Sequence, residues 1–506
     1  MTNPLYDQLF GKHAGKTTPF LIFQDGSILT HAEFLQNAAQ IAHVLTDNGM
    51  VAGDRLAAQV EKSATALALY AACAQTGIVF LPLNTAYTVD ELSYFIENSG
   101  AKTVVCAGAS KTLLDPVASN LGARLETLNA DGTGSLTDQA KAKPSEFATV
   151  ERAPDDLAAF LYTSGTTGRS KGAMLTHANL LSNAQTLADL WQFTDKDVLL
   201  HALPIFHTHG LFVATNVSLV AGGAILFLPK FDLDAMIALM PKATSMMGVP
   251  TFYTRLLQDE RFTAELTKGM RLFISGSAPL LAETHRQFEE RTGHRILERY
   301  GMTETNMNTS NPYQGERRAG TVGFPLPGVE LKITDPATGD TLPPETVGQI
   351  EVRGPNVFKG YWQMPEKTAA ELRQDGFFIT GDLGMIDADG YVHIVGRNKD
   401  LIISGGYNIY PKEIELILDA QPGVRESAVI GVPHSDFGET VLGLVVPDSK
   451  EKPDLDAILA VAGTSLARFK HPRKLVLVDS LPRNTMGKVQ KNVLREQFKG
   501  TFEATN

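Results

Sequence analysis

Short apolar runs recur along this chain at strand length, separated by stretches with helical patterning, and that rhythm restricts the fold more than any other feature. Residues 56–60, 78–81 and 103–106 read as strands, and residues 64–75 and 89–98 as the helices between them. Continuous apolar strands alternating with helices are the mark of a parallel sheet covered on both faces. The rhythm resumes at 157–161, 198–200, 224–228, 245–249 and 272–275. Between these blocks, residues 107–155 are polar and weakly patterned and read as peripheral. After Tyr313 the texture changes: residues 330–333, 348–352 and 391–395 alternate sides between Gly and Pro turns, as antiparallel strands do. Beyond 396–400, residues 409–419, 424–431, 441–447 and 455–466 read as a compact α+β unit of about 100 residues, a common domain size. The expected fold is α/β. A large N-terminal domain (1–397) of parallel sheets carries a small β region, and a small mobile α+β domain (398–506) follows.

Composition narrows the classes of function. A chain of 506 residues exceeds one ordinary core, so several domains are expected. A net charge of −11 argues against nucleic acid as partner, because such binders carry a basic face. Cys73 and Cys106 cannot build a disulfide framework or a zinc site and read as small buried residues. Neither a signal peptide nor an apolar run of about 20 residues is visible, so the expected setting is cytoplasmic, with no membrane partner.

The chemistry concentrates first between Tyr162 and Gly172. Thr163, Ser164, Gly165, Thr166, Thr167 and Gly168, followed by Arg169, Ser170 and Lys171, combine glycines, hydroxyls and two cations directly after an apolar strand. Glycines let backbone N–H groups approach a polyanion, and the hydroxyls and cations add donors and charge, so a phosphate chain is the natural guest. Gly172 after Lys171 departs from the Gly-Lys-Ser/Thr ending of a Walker loop. A second cluster, from Glu298 through Arg299, Tyr300, Gly301, Met302 and Thr303 to Glu304, packs an aromatic ring, hydroxyls and a carboxylate into one turn. A third, Thr380-Gly381-Asp382, ends an apolar segment with an acid that can accept from both hydroxyls of a ribose. A flexible charged segment from Lys399 leads through Ser404, a Gly405-Gly406 turn and Tyr407 to a helix opened by Pro411. Near the C-terminus a turn from Pro482 to Lys491 carries Lys488.

These five motifs, spread over about residues 160–490, resemble in order the acyl-adenylate-forming superfamily of acyl-CoA synthetases, luciferases and peptide-synthetase adenylation domains. The resemblance implies ATP, Mg²⁺ and coenzyme A as cofactors and co-substrates. It implies Thr163 to Gly168 and Lys171 on the phosphates, residues 298–302 at the nucleotide, Thr303 at the α-phosphate, and Glu304 with Thr167 on Mg²⁺. Asp382 and Arg397 would hold the ribose. Lys488 would bridge the acyl carboxylate and the α-phosphate, with Lys491 as a nearby decoy. Lys399 would be the hinge about which the C-terminal domain exchanges an adenylation site for a thioester-forming one. Ser404, Gly405, Gly406 and Tyr407 would then border the pantetheine tunnel.

From Arg295 to Glu330 the wording is most similar to malonyl-CoA and methylmalonyl-CoA synthetases, which implies an AMP-forming acid–thiol ligase acting on malonate or methylmalonate. His207, His209, Arg255, Ser275, Gly276 and Met302 are the acyl-pocket candidates. A buried distal carboxylate needs a cation, for which Arg255 is the first candidate and Lys230 and Arg286 are outsiders. Two alternatives stay open: a short- or medium-chain monocarboxylate synthetase, and a free-standing adenylation domain loading a carrier protein. Residues 211–215 supply no acid for an amino-acid ammonium. Intact Lys171, Glu304, Asp382 and Lys488 oppose a catalytically silent binding module. The position of Lys488 near the chain end also makes a protein lysine acyltransferase or deacylase a candidate partner.

Overall fold

The computed structural model describes residues 2–163, 170–404, 407–434, 437–448, 452–484 and 487–502. Four sheets organise it. In the first, the strands Arg124–Thr127, Thr103–Cys106, Arg55–Gln59, Val79–Pro82 and Leu157–Thr163 run parallel in that order. Lys171–Thr176 closes its edge as an antiparallel partner of Leu157–Thr163. In the second sheet Leu297–Met302, Leu272–Ser275, Ser245–Gly248, Val198–His201, Ala224–Phe227 and Pro19–Ile22 are parallel, with short antiparallel strands at both edges. The third, antiparallel sheet holds Glu330–Thr334, Gly348–Arg353, Phe378–Ile386 and Val392–Arg397. The fourth, built on the long pair Val424–His434 and Gly438–Pro447, forms the core of the smaller C-terminal domain.

The helix Ala64–Thr76 is apolar all round and buried from Ala66 to Thr76, as a helix inside a core must be. Its alanines let neighbours approach closely. Its Tyr70 ring packs 5.6 Å from Phe80 of the first sheet and 5.8 Å from Phe212 beside the second, joining the two layers. Ser63 caps it by accepting from the Ala66 N–H, and Gly77 ends it at φ 73°, where a side chain would be strained. Cys73 and Cys106 are buried free thiols. No helix among the described residues is long and apolar enough to cross a membrane.

Residues 107–155 are not merely peripheral, since Arg124–Thr127 adds a parallel strand beside Thr103–Cys106. Its polar composition hid it: Glu126 is buried, yet it accepts from Arg124, Ser135 and Gln139.

Asp197 anchors the start of the central strand Val198–His201, whose far end leads to the acyl-pocket candidates. Arg271 holds it bidentately at 2.7 and 2.9 Å, and Thr244 and the Thr194 N–H also donate to it. Burial works to raise the Asp197 pKa, but these hydrogen bonds outweigh it and hold the carboxyl below the usual value. A depressed folded-state pKa contributes stability that is complete above the unfolded value, about pH 4, and is lost as pH falls through the folded value. Asp197→Ala is expected to lower unfolding free energy by about 2–4 kcal/mol in denaturant titrations, because it strands a half-buried guanidinium. Asp197→Asn should show a shallower acid-side loss of stability than wild type. Equal acid profiles would contradict this account.

Candidate active site

Leu297–Met302 lies at the centre of the site, and along a strand successive side chains point to opposite faces. Tyr300 sends its hydroxyl to Asp382 Oδ2 at 2.6 Å. Burial, then the Asp382 charge, pushes the Tyr300 pKa well up, so the phenol stays the donor. Asp382 pairs in register with Arg397 across neighbouring strands, and Arg397 Nε lies 3.2 Å from Asp382 Oδ1. Gln349 fixes the Asp382 backbone by donating to its carbonyl at 2.9 Å. A hydrogen bond and an ion pair therefore join Tyr300, Asp382 and Arg397 into one group. Glu298 lies apart from it, buried near His285 at 3.6 Å and accepting from the Gly320 N–H.

A second group surrounds Glu304. Thr163 donates to Glu304 Oε1 at 3.3 Å, and the Tyr361 hydroxyl lies 3.0 Å from the same oxygen and 2.7 Å from Glu371 Oε2. Lys171 sits 3.4 Å from Glu371 and 4.1 Å from the centroid of the Tyr361 ring. Burial raises the Glu304 pKa. A buried carboxylate next to the Thr163 hydroxyl fits Mg²⁺, which takes one or two carboxylates and fills its shell with phosphate oxygens and water. Thr303 is half-buried in the turn before Glu304. Ser164, Gly165, Thr166, Thr167 and Gly168 lie outside the described residues. Sequence reasoning missed Tyr361 and Glu371; the only available hint was an aromatic pair following Gly360.

On the opposite side lies a cluster of buried polar atoms without partners among the described residues. Arg299 is buried, and its Nε and Nη2 find no acceptor among the described residues. A Cβ on Gly276 would come within 2.3–2.6 Å of that guanidinium, so only glycine lets Arg299 lie there. His209, in the π-helical turn His209–Thr215, places Nδ1 3.1 Å from Ser277 Oγ and leaves Nε2 unpaired. His207 Nε2, Thr208 Oγ1 and Ser275 Oγ are likewise buried and unpaired. Ser277 holds φ at 70°, a left-handed conformation costly for a non-glycine residue. Burial pushes His207 down to about 4 and His209 well below its ordinary value, so both imidazoles are neutral near pH 7. Burial also pushes Arg299 down to about 9, which leaves it a cation at neutral pH.

The structure redistributes the arginines. Arg299, expected with the nucleotide residues, lies against Gly276, one of the acyl-pocket candidates. Arg255 is exposed, with its guanidinium 5.5 Å from the centroid of the Phe231 ring. Water already solvates Arg255, so it lacks the buried unpaired charge that demands an anion. Arg286 is held by Glu283 and Glu290, and Lys230 is exposed. Met302 is half-buried at the end of the Arg299 strand. The signal for Arg299 was its phase, one residue out of step with Glu298 and Tyr300.

The C-terminal domain brings Lys488 to this centre. Burial, then the Arg397 charge, pushes the Lys488 pKa down to about 8, with Asp382 and Asp400 pulling the other way. Lys491 is occupied elsewhere, 2.6 Å from Glu415. The turn that carries Lys488 also helps enclose a cavity of about 300 Å³, in which Arg483, Asn484 and Gly487 join Pro204, Thr251, Phe252 and the exposed Arg255. Lys399 is exposed in the single turn Asn398–Asp400, and Asp400 is held by Arg495 at 2.6 Å. Ser404 pairs with Tyr407 between two short antiparallel strands, and Gly405 and Gly406 lie outside the described residues. Tyr407 is exposed and stacked 4.7 Å from Phe469.

The geometry agrees with comparisons to known proteins. Residues 11–362 match the model of the AMP-binding enzymes, and residues 413–488 match that of the AMP-binding enzyme C-terminal domain. A malonate–CoA ligase of Arabidopsis thaliana is 36% identical over 483 residues, covering 89% of this chain and 79% of the relative. A feruloyl-CoA synthase of an Amycolatopsis species is 35% identical over 477 residues, covering 94% of each. The crystal structure of ATP-bound MatB from Rhodopseudomonas palustris superposes with a TM-score of 0.97 at 59% identity, covering 99% of this chain and all of that one. This chain belongs to the AMP-binding enzyme family, the acyl-adenylate-forming group that its motifs resemble.

Proposed function

We propose that this chain is an ATP-dependent malonate–CoA ligase that works through malonyl-adenylate, with methylmalonate as a second acid of the same class. The observation that carries the acid assignment is the buried Arg299 guanidinium, unpaired among orphaned donors of the acyl-side pocket. A monocarboxylate with an apolar tail would leave that charge uncompensated, at high cost. A distal carboxylate would meet it bidentately and restore the missing hydrogen bonds. The similarity to malonate–CoA ligases supports the same reading.

In the first half-reaction the reacting carboxylate oxygen bonds to the α-phosphorus of ATP, and the bond to pyrophosphate breaks. Asp382 accepts from the ribose hydroxyls while Tyr300 and Arg397 hold its carboxylate in place. Lys488 carries a positive charge to the α-phosphate oxygens, where negative charge grows during attack. Mg²⁺, when bound at Glu304, neutralises part of the phosphate charge. In the second half-reaction the thiolate sulfur of coenzyme A bonds to the acyl carbon and AMP leaves. We place the domain boundary at 397/398. Lys399 then lies in the one-turn connection that would pivot, and Ser404 to Tyr407 are carried towards the pantetheine path.

Lys488→Ala should reduce pyrophosphate release with malonate by about 10²-fold or more. The same variant, given preformed malonyl-adenylate, should still make thioester at a substantial rate, and equal loss in both assays would remove Lys488 from its assigned step. Because deprotonation removes the useful charge, kcat/KM for adenylation should fall as pH rises through about 8. Lys488→Arg should move that fall to higher pH.

Malonate should exceed butyrate, which is similar in length without the second charge, by about ten- to hundredfold in kcat/KM, as a charge-assisted hydrogen bond allows. Arg299→Leu should erase this preference, whereas Arg255→Ala should keep it. A wild-type enzyme that prefers butyrate tenfold would overturn the dicarboxylate assignment.

A further inference from the structure

Lys62 is buried between the two large sheets, yet among the described residues no carboxylate pairs with it. It directly precedes Ser63, which caps the core helix Ala64–Thr76. Its Nζ lies 2.9 Å from His201 Nδ1 and 2.9 Å from the His201 carbonyl oxygen, and 4.5 Å from the centroid of the Phe227 ring. His201 ends the central strand Val198–His201 of the second sheet, so this contact ties one sheet to the other. On the far side of the imidazole, His201 Nε2 lies 2.9 Å from the Gly210 carbonyl oxygen. Thr215 Oγ1 donates to the same oxygen at 2.9 Å.

The chemistry of the two ends fixes the direction of the chain. A carbonyl oxygen only accepts, so His201 Nε2 must carry the proton. Nδ1 is then the acceptor, and the Lys62 amino group, whose pKa burial pushes well down, is a donor suited to it in either protonation state. Burial, then the Lys62 charge, keeps His201 well below its ordinary pKa, which agrees with a neutral imidazole. Gly210 lies in the π-helical turn directly after His209 and has no room for a side chain, since a Cβ would come 1.9 Å from the Pro204 oxygen. The Gly210 carbonyl therefore fixes the backbone that presents His209 to the acyl-side pocket.

We propose that Lys62 and His201 are positioning residues for recognition of the acid: Lys62 fixes the His201 tautomer, and His201 Nε2–H clamps the Gly210 carbonyl so that His207 and His209 face the substrate carboxylate. This rests on the reading of that pocket as the acid site. A lysine serving only to fill the core could be replaced by an apolar residue of similar shape at little functional cost, because unpaired buried charge is expensive. A lysine that sets a tautomer could not.

The test compares Lys62→Met, His201→Gln and His201→Asn by pyrophosphate release, with KM measured separately for the acid and for ATP. A Gln amide nitrogen reaches roughly where Nε2 lies and keeps the donor to Gly210; an Asn amide reaches only the Nδ1 position and loses it. Lys62→Met and His201→Asn should each raise KM for the acid about tenfold or more while KM for ATP stays within about twofold. His201→Gln should keep the acid KM within about threefold. Each ratio is taken against wild type for whichever acid wild type prefers, so a failure of the malonate assignment leaves this test intact. If Lys62→Met does not fold, the two His201 variants decide, since both retain Lys62. The proposal is overturned if His201→Gln and His201→Asn behave alike, or if KM for ATP rises in step with KM for the acid. It is also overturned if folded Lys62→Met binds the acid as wild type does.

Discussion

Side chains alternate across a strand, and on Leu297–Met302 that single constraint separates the two halves of the chemistry. Tyr300 reaches Asp382 and, through it, Arg397, while Arg299 turns to Gly276 and the orphaned polar atoms of the acyl side. A one-residue slip would exchange the two faces and leave neither set of partners in reach. The surrounding architecture serves to hold this register. Leu272–Ser275 pairs with the strand on one side and Asn306–Ser310 on the other. A Cβ on Gly301 would strike the Asn306 oxygen at 1.9 Å, so the return strand packs tightly against it.

Burial sets the charge state on each side. It keeps the His207 and His209 imidazoles neutral and leaves Arg299 as the buried cation, so the acyl side offers one positive charge among neutral donors and acceptors. Native proteins pair nearly all buried polar atoms, and we take the unpaired ones here, with the Arg299 guanidinium, as a place for an anion. Lys488 supplies a second cation from the other domain, close to Asp382 and Arg397. The two cations suit a dicarboxylate in which one carboxylate reacts and the other is only held.

Much of the fold was legible because parallel strands buried on both faces are short continuous apolar runs; Thr103–Cys106 is found where the residue pattern puts it. Arg124–Thr127 was not, because its buried Glu126 is satisfied by Arg124, Ser135 and Gln139, partners that no local pattern reveals. In the candidate site, residues within motifs could be named, and the structure brings Tyr300, Asp382 and Arg397 together and sets Thr163 against Glu304. Tyr361, Glu371, Lys62 and His201 escaped notice because each acts through a tertiary contact with residues far away in sequence. Arg299 was visible but grouped with its neighbours at the nucleotide; that its guanidinium lies against Gly276 depends on the strand's phase. Arg255 drew attention by its proximity to a pocket motif, and its exposure is a fact only of the folded chain.

The most direct measurement of the central claim is a crystal structure with a non-hydrolysable malonyl-adenylate analogue. The account predicts the distal carboxylate within about 2.7–2.9 Å of Arg299 Nε and Nη2, as charge-assisted bidentate pairs are, with His207 or His209 Nε2 as a further partner. A distal carboxylate turned towards Arg255 or solvent, with Arg299 still unpaired, would contradict it.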